Sequence, residues 1–153
     1  MADEIRMFTA TALKRAFESG ELSPVEVAAT LLDHVQHHDH AINAWCLIDR
    51  DTTLAEAGAA EQRYRRGEPR GLLDGIPVAV KDVFLTPMWP TLKGSHTVDP
   101  QSTLGKTGAC TAALARHNYV PIGKTTTPEL GWKGVTDNPV DGVTNNPWNP
   151  DKT

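Results

Sequence analysis

The chain has 153 residues, which suits one domain, and its 39% hydrophobic and 22% charged residues are ordinary for a globular protein. A net charge of -4 gives no electrostatic basis for nucleic-acid binding, and no polybasic run is present to hold an anionic membrane. No stretch approaches the roughly 20 apolar residues of a membrane helix, and the acidic opening "MADEIRMFTA" lacks a signal core, so a cytoplasmic location is expected.

In chain order, Thr9 to Glu18 predicts a short helix stopped by Gly20. Ser23-Pro24-Val25-Glu26 is a capping box with proline at the first helical position. Val27, Leu31, Leu32 and Val35 then recur at helical spacing, predicting a helix to about His37. "AWCLID", residues 44–49, reads as a short strand or extended segment. Asp51 is a candidate cap for a third helix that stops at Gly67. Beyond it, Ile76 to Val80 is a short valine-rich apolar run bounded by Gly75, which predicts a strand buried on both faces. A proline- and glycine-rich loop follows. "TGACTAALARHN" predicts a helix of small residues, "YVPIG" a second buried strand, and Thr127-Pro128-Glu129 a short helical turn. Strand, helix, strand implies a parallel crossover of right-handed sense in an α/β sheet. After Gly131 the text is dominated by Asn-Pro and Asp-Gly turn signals.

Lys81 is the first chemical candidate. It ends the apolar run "GIPVAVK", and the C-terminal ends of strands in open α/β sheets are where ligands bind. A lysine there, partly desolvated, can lose its proton and act as a base. The competing reading is a structural lysine that snorkels to water or pairs with Asp82. His34, His37, His38 and His40 cluster near a helix end, but no further ligand accompanies them. "GKT" occurs twice without the upstream glycine of a phosphate loop. The four serines are Ser19, Ser23, Ser95 and Ser102. Ser23 serves as a cap, Ser19 lies at a helix end, and the other two follow Lys81 in the loop. Cys46 and Cys110 form no metal or redox motif and read as free thiols, with Cys110 packed in its helix.

"LDGIPVAVKDVF", "WPTLKGS", "IGKTTTPELGWKGVTDNP" and "GVTNNPWNP" stand in the order seen in the amidase signature family, which the chain resembles. "LSPVEVAATLLDHV" and "INAW" resemble its N-terminal helices, so the likeness covers nearly the whole chain. The resemblance implies an α/β fold, the N-terminal part of a mixed β-sheet core flanked by α-helices. It divides the chain into a helical region, 1–70, and the start of the α/β core with the lysine strand, 71–153.

The same resemblance makes Lys81 the base of a serine, cis-serine, lysine triad. The lysine takes a proton from a bridging serine, which deprotonates the nucleophilic serine; an acyl-enzyme forms and water releases the acid. It places Gly131 and Trp132 on the substrate side. It implies a small-molecule amide substrate and neither a metal nor an organic cofactor. Both serines and the oxyanion loop would follow the last residues of this chain, so the 153 residues alone are expected to be inactive. Two other readings stand beside this one: an interaction module that self-associates through an unpaired sheet edge, and an amidotransferase component that passes ammonia to another substrate. Met88, His117, Asn118 and Tyr119 depart from the family pattern, the last three bearing on helix–strand packing.

Overall fold

The computed structural model describes residues 2–153, with side chains from residue 4 onward. Capping chemistry sets the helices of the first half. After a single turn, α1 (Ala2–Ile5), comes α2 (Ala10–Ser19). Thr9 Oγ1 accepts from Ala12 N at 3.2 Å at its start, and Gly20 closes it in the left-handed region at φ 75°. Ser23 Oγ accepts from Glu26 N at the start of α3 (Pro24–Ile42). This helix continues five residues past the expected end at His37. Its last turn is tied down because the Asp39 carboxylate accepts from Ala44 N at 2.7 Å while Asn43 takes a positive φ. Helix α4 (Arg50–Arg65) is capped by Asp49, not Asp51: its carboxylate accepts from Thr52 N and Thr52 Oγ1.

The sheet has the order β1-β3-β2, formed by β1 (Trp45–Ile48), β2 (Pro77–Lys81) and β3 (Val120–Thr125). β1 runs antiparallel to β3. β2 runs parallel to β3, since the bonds Val120 N to Ile76 O and Asp82 N to Thr125 O advance together along both strands. Between them the chain makes α5 (Pro100–Thr103) and α6 (Ala109–Ala115), the strand–helix–strand order the sequence predicts. The buried strand is β3, where Val120 to Lys124 are all buried. β2 is not buried on both faces as expected. Val80 is buried, Ala79 and Lys81 are exposed, and among the described residues β2 pairs on one side only.

The chain divides into two compact units, and β2 and β3 contribute residues to each. The first holds the residues up to Gln36, Asp49–Val78 and Ala113–Ile122. Its core joins Ile5, Leu13, Phe17, Val27 and Ile76, with Tyr64 packed at 5.6 Å between ring centroids from Phe17. The buried Asp74 carboxylate is forked by Arg63, with Nη2 at 2.6 Å, and accepts from Arg70 N. Three of the four residues that depart from the family pattern, His117, Asn118 and Tyr119, are accommodated here. Asn118 takes φ 57° just past α6 and donates to Arg70 O, His117 Nδ1 accepts from Leu72 N, and Tyr119 is buried.

The second unit holds His37–Ile48, Ala79–Ala112 and Gly123–Thr153. A 3-10 turn at Glu129–Gly131 matches the helical turn expected at Thr127-Pro128-Glu129. Where turn signals alone were legible, a two-residue hairpin forms from β4 (Asp137–Asn138) and β5 (Gly142–Val143). Asn138 Nδ2 anchors it by donating to Thr127 O at 2.8 Å.

Candidate active site

Lys81 is the last residue of β2, and its side chain is exposed, not desolvated as the apolar run suggested. The chain turns at once, with Phe84 N donating to Lys81 O at 3.0 Å. Strand alternation sends the next side chain inward. Asp82 is 3% exposed, its amide donates to Thr125 O, and its carboxylate accepts from Leu92 N at 3.2 Å. The other carboxylate oxygen lies 2.6 Å from Lys124 Nζ. Of the two structural alternatives for Lys81, the pairing with Asp82 is not what the fold adopts, while the exposed side chain agrees with a lysine that reaches water. Asp82 is taken by Lys124, and Lys81 makes no ion pair among the described residues.

Lys124 is the residue that sequence reading missed. It is fully buried on β3, and its three N–H donors all find acceptors: Asp82 Oδ1, Thr91 Oγ1 at 2.5 Å and Pro90 O at 3.0 Å. Burial pulls its pKa down from the ordinary lysine value, and the Asp82 carboxylate works against that. The available signal was the alternation Val120, Ile122, Lys124, which puts a cation on the face of two core residues, with one unpaired acid, Asp82, next to the neighbouring strand.

Cys46 packs against the same strand. It is the extra residue of a bulge between Trp45 and Leu47, and its Sγ donates to Lys124 O at 3.3 Å. Burial, then the Asp82 and Asp141 carboxylates, push its thiol up to about 12. Cys110 is exposed on α6, contrary to the packed position expected, because only Thr111 of that short helix turns fully inward.

Gly131 lies against the turn that follows Lys81: a Cβ there would sit 3.4 Å from Val83 Cγ1, and Gly131 itself has φ 73°. Trp132 points away into solvent, 91% exposed. On either side of this pair, Glu129 and Lys133 line a cavity of about 330 Å³ with Asn138 and Gly142. The four serines all have hydrogen-bond partners. Ser95 Oγ donates to Glu129 at 2.8 Å, Ser102 to Asp99 O and Ser19 to Ala16 O, while Ser23 caps α3. Among the described residues no group of three or more His, Cys, Asp or Glu side chains is placed to hold a metal ion, the histidines of α3 included.

The family model for amidases matches residues 26–153. The chain belongs to the amidase signature family. It is 34% identical over 152 residues to a glutamyl-tRNA(Gln) amidotransferase subunit from Streptomyces coelicolor, covering 97% of this chain and 29% of that protein. It is 36% identical to the corresponding glutamyl-tRNA(Gln) amidotransferase subunit from Thermobifida fusca, over 97% of this chain and 30% of the relative. Among solved structures, a bacterial aryl acylamidase of the amidase signature enzymes superposes with a TM-score of 0.85 at 30% identity, over 94% of this chain and 30% of that one. A fatty acid amide hydrolase superposes with a TM-score of 0.87 at 25% identity, over 97% and 26%. The amidase signature chain thus spans less than a third of the length of these relatives. Its fold of helices and mixed sheet is that of amidase signature enzymes. No helix among the described residues is long and apolar enough to cross a membrane.

Proposed function

We propose that this chain supplies the lysine-bearing part of an amidase that cleaves a carboxylic amide to an acid and ammonia or an amine, with Lys81 as the base. The observation that carries the reading is the split of roles between neighbours: Asp82 turns inward to Lys124, while Lys81 ends β2 exposed and without an ion-pair partner among the described residues. On this reading Lys81 accepts the proton of a bridging serine, which takes that of the nucleophilic serine. The nucleophile attacks the amide carbonyl, the C–N bond breaks as the leaving nitrogen is protonated, and water then frees the acid. The same reading takes both serines from the part of the relatives' length that this chain does not span. Gly131, beside Val83, and Trp132 are assigned to the substrate side.

A second reading shares this chemistry and differs in where the nitrogen goes. Relatives at 34 to 36% identity are named as amidotransferase subunits, which favours transfer of the released ammonia to a second substrate in concert with partner chains.

The test is amide turnover by the protein carrying the complete amidase domain, over a panel of amides, with and without Lys81→Met. Loss of at least about a thousandfold in kcat is expected, because a relay that acts as a unit fails as a unit. Wild-type turnover in a folded Lys81→Met protein overturns the assignment. Ammonia release that depends on an added acceptor and partner chain favours the transferase reading over hydrolysis.

A further inference from the structure

On the reading that Lys81 is the base, we infer that the buried Asp82–Lys124 pair is a positioning device. It fixes the backbone beside Lys81 and holds the adjacent carboxylate away from the Lys81 ammonium. Three ties immobilise Asp82: its amide on Thr125 O at 2.9 Å, its carboxylate on Lys124 Nζ at 2.6 Å, and the same carboxylate on Leu92 N at 3.2 Å. A second route runs from Lys124 to the base. Lys124 Nζ donates to Thr91 Oγ1, Thr91 Oγ1 donates to Phe84 O at 3.2 Å, and Phe84 N donates to Lys81 O. Lys124 thus grips the residue after Lys81 through its charge and the turn beyond it through a hydroxyl.

The charge matters as much as the geometry. A carboxylate free to approach an amine within ~4–6 Å favours the ammonium and works against a base that must shed its proton. Asp82 is next to Lys81 in sequence and would be that carboxylate. A buried counterion on β3 removes it. The other titratable groups sharing this packing are Cys46 on β1 and Asp141 of the hairpin, and Cys46 feels Asp82, Asp141 and Lys124 together.

The test is an NMR titration of the Lys81 side chain in the 153-residue chain, its signal assigned by its absence in Lys81→Arg. Lys124→Met should raise the Lys81 pKa by about half a unit or more, since an uncompensated carboxylate is left beside it. Asp82→Asn should bring no such rise, since the carboxylate is gone and a buried lysine without its counterion sheds its proton. Asp82→Asn/Lys124→Met should return the Lys81 pKa close to wild type. If Lys124→Met does not fold, Lys124→Gln, which keeps a donor for the Thr91 hydroxyl and the Pro90 carbonyl, is titrated in its place and the same rise is expected. One Lys81 pKa in all folded variants, or shifts of the same sign in both single variants, overturns the inference. The titration needs no turnover, so it judges the positioning role alone, while turnover in Lys81→Met judges the base.

Discussion

Lys124→Met is expected to destabilise the chain by about 3–5 kcal/mol, the usual cost of removing one partner from a buried pair. For a domain of this size that is a fall in melting temperature of roughly 6–20 °C. Two causes add. The Asp82 carboxylate, 3% exposed, keeps only the Leu92 amide as a donor. The Pro90 carbonyl and Thr91 hydroxyl lose the ammonium they face. Asp82→Asn/Lys124→Met should recover about half or more of the loss, because a neutral pair carries no uncompensated charge. Thermal denaturation of the three proteins checks this. A double variant no more stable than Lys124→Met would show that packing of the lysine stem, not charge pairing, holds the site.

Gly123→Ala is expected to cost about 3 kcal/mol or more, at or beyond the upper end of ordinary overpacking. A Cβ at this position would stand 2.3 Å from Leu47 O and 2.9 Å from Ile48 Cδ1. The first neighbour is backbone on the paired strand, so no rotamer change relieves it. The β1–β3 register, with Ile48 opposite Gly123 and Leu47 opposite Lys124, would have to open. Hydrogen exchange should then show lost protection along β1 and β3, and Lys124, one residue on, should lose its grip on Asp82. An alanine variant with wild-type melting and exchange would contradict this account of the strand contact.

Much of this architecture was legible because its signals are local. Ser23 and Gly20 act where the sequence placed them, and the family motifs between Leu73 and Pro150 pointed to the fold that the structural likeness shows. What failed depended on neighbours far along the chain. Asp49 and Asp51 both suit a helix cap, and the choice falls to Asp49 because β1 runs to Ile48 and leaves it at the turn. An apolar run cannot say how many strands will flank it. "IPVAV" looks buried on both faces, yet β2 pairs on one side among the described residues and β3 is the enclosed strand. Lys124 was hidden for the same reason. In sequence its "GKT" is a failed phosphate loop, and only the pairing of β3 with both neighbours shows a buried cation facing an acid 42 positions earlier.

The central claim is that two lysines, 81 and 124, divide the labour: one exposed and reactive, one buried and structural. The most direct measurement is competitive acylation of the folded chain with an amine reagent, read lysine by lysine by mass spectrometry. Lys81 should react in the folded state. Lys124 should react slower by on the order of a hundredfold or more, at the rate of local or global opening, and should join the others once denaturant is added. Equal labelling of Lys124 and Lys81 in the folded chain, or a Lys81 that stays protected, would contradict the account.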